Sequence, residues 1–232
     1  MNTEGHKTDT PAIPRGAMWL ILAAVATGAF VAGHLVWIKL RLEFDPSYVS
    51  SCNFSAQFNC DAVQTSKYAS VLGYPLALYG LATYIFFGFL AVLGRNPGTL
   101  GRGFHGLLAA ISVVGCIHSA YLAYISSVVI GAYCIFCMVM YTVTGIVAGA
   151  STYFVFQQSG FSGTLRRIIQ APASMAGAAV IYALILGASI PIYNQVRGTV
   201  KAERMAEVRE EIAQRTEKQE KPNEEMRSLK HL

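Results

Sequence analysis

Charge is scarce in this chain, and a strongly basic surface is missing from it. Only 13% of its 232 residues are Asp, Glu, Lys or Arg, against 53% hydrophobic, and mean hydropathy is +0.42. That shortage excludes an ordinary soluble domain and reads as a polytopic membrane protein. The formal net charge of +5 raises the question of nucleic acid. No basic stripe with interleaved aromatics is present, however, and the positive charges gather at segment ends, which argues against a nucleic-acid partner. Cysteine is sparse too, with five residues in all, yet four of them form two pairs. Cys52 and Cys60 fall in a polar loop between the first two apolar stretches. Cys134 and Cys137 form the CxxC of Ala132-Tyr-Cys-Ile-Phe-Cys-Met138 at the start of the fourth. A helix N-terminus stabilises a thiolate and makes it a better nucleophile and leaving group, so two such dithiols suggest electron relay. There is no second CxxC, and the seven-residue gap of the first pair is poor spacing for a zinc site.

Five segments are long enough to cross a hydrocarbon core, which takes about 20 apolar residues. They run approximately over Met18–Leu40, Tyr74–Leu93, Phe104–Ile130, Tyr133–Phe156 and Ala171–Tyr193. The third and fourth are separated only around Gly131 and Ala132. An uncleaved anchor fits the first segment better than a signal peptide, because its apolar stretch and its polar leader are both long. Orientation follows from the basic residues of the short connections. Lys7, Arg15, Arg95, Arg102, Arg166 and Arg167 fall on one side, which is then cytoplasmic. Lys39, Arg41 and Lys67 count against this, although Glu43, Asp45 and Asp61 share their loop. The opposite side receives both cysteine pairs, in surroundings where disulfides persist.

The expected organisation is a cytoplasmic leader over 1–17, a four-helix catalytic bundle over 18–156 with an external loop at 41–73, a connection and fifth span over 157–193, and an extracytoplasmic tail over 194–232. Within the loop, Asp61–Leu72 has few helix breakers and would form a short helix at the membrane surface, with Cys60 near its N-terminus. The tail is highly charged, with Glu211 and Arg215, and Glu217 and Lys221, at helical spacing. It reads as a solvated helix ending near Pro222, with a thin apolar stripe of Met205, Val208 and Ile212 that would dock a partner or rest on the parent protein.

Four features stand together: Cys52-x7-Cys60-Asp61, Ser66 six residues beyond the second cysteine, Gly73-Tyr74-Pro75-Leu76-Ala77-Leu78-Tyr79-Gly80 opening the second span, and Cys134-x2-Cys137 followed by Tyr141. They carry a resemblance to the vitamin K epoxide reductase family in its bacterial, disulfide-forming branch. It covers roughly Met18–Phe156 and implies a four-helix membrane bundle holding a quinone near the external face. Carried over, Cys134 and Cys137 are the active-site pair, with Cys137 as the thiolate facing the quinone ring and Cys134 exchanging with the loop. Cys52 and Cys60 are the shuttle pair that meets an external dithiol. Ser66 would support the loop or approach the quinone, and Tyr141 would hydrogen-bond a quinone carbonyl. The quinone, menaquinone or ubiquinone, is the implied electron acceptor. Two departures matter. The second span lacks the asparagine that vertebrate members use toward the quinone, which argues against epoxide chemistry. The chain also ends without the thioredoxin-like domain that some bacterial members carry, so a separate thioredoxin-like extracytoplasmic protein is the expected partner.

The chemistry itself requires attack of a thiolate on a disulfide sulfur, transfer from loop to CxxC, and delivery of two electrons to a quinone whose oxygens must acquire protons. The expectation is therefore an all-α membrane protein of the bacterial plasma membrane, a four-helix redox bundle with a fifth transmembrane helix and a charged helical tail, acting as a thiol:quinone oxidoreductase. The alternatives are quinone or vitamin K epoxide reduction with thiols only as reductant, or a scaffold with structural disulfides. Cys116, alone in the third span, reads as apolar filler. His34 and His118, each inside a span, read either as hydrogen-bonded to a neighbouring helix or as proton relays. Gly28, Gly33, Gly80 and Gly88 are expected to permit close helix approach.

Overall fold

The computed structural model describes residues 15–94, 99–170 and 172–229. Lys7, Arg95 and most of the expected leader 1–17 lie outside the described residues. In hydrocarbon every backbone polar group must be paired within its own segment, so the long apolar runs fold as helices. These are α1 (Arg15–Phe44), α3 (Leu76–Leu93), α4 (Thr99–Tyr124), α5 (Ile135–Gln170) and α6 (Pro172–Leu229). The short α2 (Cys60–Thr65) lies between α1 and α3. Five stretches are long and apolar enough to cross a membrane: Gly16–Phe44, Leu76–Leu93, Gly103–Ile130, Ile135–Gln157 and Met175–Lys218. The chain is an all-α, multi-pass membrane protein, as the hydropathy pattern led one to expect.

The break between the third and fourth spans falls at the expected glycine. After Tyr124 the helix widens into one π-helical turn, Ile125–Ile130, and Gly131 takes the left-handed conformation (φ 74°) that a side chain disfavours. The hydroxyl of Ser126 donates to the Ala132 carbonyl (2.5 Å), closing the reversal. Three boundaries differ from expectation. Asp61–Leu72 is not one helix: α2 stops at Thr65, a 3-10 turn covers Lys67–Ala69, and strands β1 (Ser70–Val71) and β2 (Tyr74–Pro75) form a small antiparallel hairpin. Leu72 and Gly73, both at positive φ, make its two-residue turn. Second, α5 runs on to Gln170, so Arg166 and Arg167 stand on a helix rather than in a loop. Third, the fifth span and the tail are one continuous helix to Leu229. Pro222, where the helix was expected to end, lies inside it.

The core sits between α1, α3, α4 and α5, where Ile21, Val25, Phe87, Leu90, Leu108 and Val147 pack together. Trp19 and Phe30, by contrast, point outward. Polar groups inside are paired: the Tyr84 hydroxyl donates to the Met140 carbonyl (2.9 Å) and joins the Thr144 hydroxyl (2.8 Å). Gly28 of α1 leaves room for the Tyr84 ring, which a Cβ there would strike. Gly80 and Gly88 meet Met140 and Val25 closely, but Gly33 faces open space, contrary to expectation. α6 packs against α3. Tyr182 packs on Phe86 and meets the Thr83 hydroxyl (3.1 Å), while Tyr193, further along, lies among Leu40, Leu78 and Tyr74. Beyond it, Arg197 pairs with Glu43, and Arg204 with Asp45 (3.1 Å), at the C-terminal end of α1.

Candidate active site

The loop between α1 and α3 is organised around one carboxylate. Asp61 accepts from the Ser50 amide (3.1 Å), from the Ser50 hydroxyl and from the Asn53 side-chain amide (2.5 Å), and its own amide donates to Asn53 Oδ1 (3.3 Å). These contacts close the stretch between Cys52 and Cys60, which form a disulfide with Cα atoms 5.8 Å apart. Asn59 caps α2 by accepting from the Ala62 amide (2.9 Å), which sets Cys60 in the first turn, as expected.

The loop is also fastened to the CxxC. The Asn59 amide donates to the Tyr133 carbonyl (3.0 Å), and the Tyr133 amide donates to the Gln57 carbonyl (2.6 Å). The residue before Cys60 is thus bonded to the residue before Cys134. Cys52, Cys60 and Cys134 are all buried and pack in one cluster with Leu35, Ile38 and Ala77. Lys39, which counted against the orientation, is engaged here: its ammonium donates to the Gln64 carbonyl at the end of α2 (2.6 Å). Arg41, the second exception, pairs with Asp45 and lies over the Tyr48 ring.

Cys134 and Cys137 are free thiols. Cys134 stands at the entrance to α5, where its sulfur accepts from the Cys137 amide (3.3 Å). Hydrogen bonding from the Cys137 thiol, helped by the backbone amides of Cys137 and Phe136, holds the Cys134 thiol below the ordinary cysteine range. Burial and the Asp61 charge oppose this. A cavity of about 250 Å³ opens on the other side of the CxxC, lined mostly by apolar side chains from α3, α4, α5 and the loop. Cys137 lines it, and so do Ser66 and Tyr141, so the structure brings these three expected residues to one space. The Ser66 hydroxyl also donates to the Val63 carbonyl (2.7 Å), closing α2.

Several residues escaped the sequence reading. Gln64 is buried and lines the cavity, as does Ser126 from the π-helical turn, and Ser50, Asn53 and Tyr133 hold the loop. His118, singled out in the sequence, lines the α4 wall of the cavity. Asn59 carried a signal, since asparagine directly before a helix start is the N-cap pattern. His34 packs its ring edge-on against Phe136, inside the CxxC (4.9 Å), and among the described residues no hydrogen bond ties it to a neighbouring helix. Cys116 is half-buried in α4. Among the described residues no three His, Cys, Asp or Glu side chains gather as a metal site. Compared with known families, the chain matches the model of the vitamin K epoxide reductase family over residues 19–152.

Proposed function

The chain belongs to the vitamin K epoxide reductase family, whose members are thiol and quinone oxidoreductases, and from that premise we propose that it reoxidises a separate thioredoxin-like dithiol protein outside the cytoplasm and passes two electrons to a membrane quinone. The observation that carries this reading is the pairing of Asn59 with Tyr133, which sets Cys60 beside Cys134 while Cys137 faces the cavity.

The reduced carrier attacks the Cys52–Cys60 disulfide, forms a mixed disulfide, and leaves oxidised with both loop sulfurs reduced. Cys52 is the loop cysteine for this encounter, because the exposed side chains of Val49 and Phe54 flank it, whereas Cys60 is fastened against the CxxC. Cys60 then attacks Cys134 of a Cys134–Cys137 disulfide, freeing the Cys137 thiolate. Cys52 attacks Cys60 in turn, which restores the loop disulfide and releases Cys134. Joining Cys134 to Cys137 then sends two electrons and two protons to the quinone as quinol. The lowered Cys134 thiol suits it as leaving group when Cys52 attacks Cys60. A quinone head group in the cavity would lie within the reach of Tyr141 and Ser66.

The test uses purified protein, a soluble quinone analogue and two reductants, a thioredoxin-like dithiol protein and dithiothreitol. Cys134→Ser and Cys137→Ser should each abolish quinol formation with both, and Cys116→Ala should retain most of it. Cys52→Ser and Cys60→Ser should fail with the protein yet keep part of the rate with dithiothreitol. Equal loss with both reductants would remove the shuttle role, and an active Cys137→Ser would remove the CxxC from the electron path.

A further inference from the structure

Reduction of a quinone by a dithiol moves two protons as well as two electrons. Two S–H bonds break, one S–S bond forms, and two O–H bonds form on the quinone. The described residues lining the cavity include no lysine, arginine, aspartate or glutamate, and their only histidine is His118. The remaining titratable groups that face this space are Tyr79 and Tyr84 from α3, Tyr68 from the loop, and Cys137 and Tyr141 from α5. On α4 itself the Tyr121 ring lies 6.4 Å from the imidazole. Histidine is the side chain suited to exchanging protons in the neutral range.

Helix geometry gives its level. α4 and α5 run antiparallel through the short turn at Gly131, and a Cβ on Gly115 would lie 3.2 Å from the Thr144 methyl, so these two positions face each other. Three residues toward the external end on each helix, about one turn, bring His118 level with Tyr141. Cys137 stands one further turn outward on α5. His118 is twelve residues from Ile130, or about 18 Å into the span, and is exposed beside the outward-facing Val114 and Ile117. An ionisable side chain at that depth is costly to keep. Among the described residues no hydrogen bond occupies its ring.

Building on the quinone assignment above, we propose that His118 is the proton donor to the bound quinone, acting from the α4 wall while Cys137 and Tyr141 act from α5. The imidazolium gives its proton to one quinone oxygen and is recharged by a proton released as Cys134 and Cys137 join. The other thiol proton supplies the second oxygen. Two S–H protons end as two O–H protons, and the imidazole returns to its starting state.

The experiment compares wild type and His118→Gln in quinol formation from dithiothreitol and a soluble quinone analogue across pH. Reduction of the Cys52–Cys60 disulfide by dithiothreitol serves as a control of folding and thiol exchange. The variant should lose about 100-fold in kcat, the lower end of what a positioned general acid supplies. Its KM for the quinone should stay within about threefold, since uniform binding is not what the variant removes. Wild-type kcat should fall as rising pH removes the imidazolium, and the variant should lack that limb. Unchanged kcat at all pH values in an active protein overturns the role of His118, and so does a rise in KM alone, which would make it a binding contact. A wild type that exchanges thiols but reduces no quinone overturns the quinone assignment and the proposal together.

Discussion

At the scale of single residues the molecule separates positions that fill space from positions that carry chemistry. Gly28 belongs to the first kind, because the Tyr84 ring, held by Met140 and Thr144, occupies the space a side chain would need. Gly28→Val should cost about 1–3 kcal/mol through overpacking, read as a lower midpoint of thermal unfolding in detergent. Gly33→Ala should cost nothing measurable, since its Cβ would meet open space. An equal penalty at both positions would contradict the packing of α1 on α3. The grouping of the cysteines was legible from spacing and placement: Cys52 and Cys60 are bonded to each other, and Cys134 and Cys137 meet at the start of α5. Asp61 was quoted for its resemblance but not for its work. Its partners Ser50 and Asn53 are eleven and eight residues away, and their convergence depends on how the loop closes.

At the scale of elements the clearest device is the junction of α6 with the end of α1. Asp45 accepts from the Ser47 hydroxyl, and that bond, with smaller help from the Ser47 amide and the Arg204 and Arg41 charges, holds its carboxyl below the ordinary range against the effect of burial. A depressed carboxylate contributes stability that is complete above its unfolded pKa, about 3.9, and is lost as pH falls through its lower folded value. The gap in unfolding midpoint between wild type and Asp45→Asn should therefore be constant above about pH 4 and close below it. A gap that widens on acidification would contradict this pairing. The exposed Arg197–Glu43 pair adds at most about 1 kcal/mol. This junction was not legible in the sequence, because the tail's charges read as a solvated face. Hydropathy likewise indicates where a helix leaves hydrocarbon but not whether it continues in water, so the single long α6 was read as two pieces.

At the scale of the whole molecule, span number and order were legible because each apolar run satisfies its own backbone, whereas the lateral placement of α6 against α3 was not. The proposed orientation puts the loop, the CxxC and the tail outside the cytoplasm. A reporter fused after Leu232 that works only in an oxidising compartment should be active, and one that requires the cytosol should be silent; the reverse result would overturn the orientation. Truncation after Tyr193 removes Arg197 and Arg204 but no residue of the cavity or the CxxC. Quinol formation driven by dithiothreitol should then stay within about twofold, below the 0.5 kcal/mol expected for a substitution remote from such features.

The hydrogen bonds that tie Tyr133 to Asn59 and Gln57 bear on the kinetics of the proposed relay. Fastening two reactants converts an encounter into a unimolecular step, with effective molarities that reach about 10⁵–10⁸ M for well-aligned groups. With Cys60 held against Cys134, transfer between the two pairs is governed by local rotation of sulfurs rather than by a search of the loop through solvent. The turnover bottleneck then moves to the two ends of the chain of electrons, carrier arrival and quinol departure.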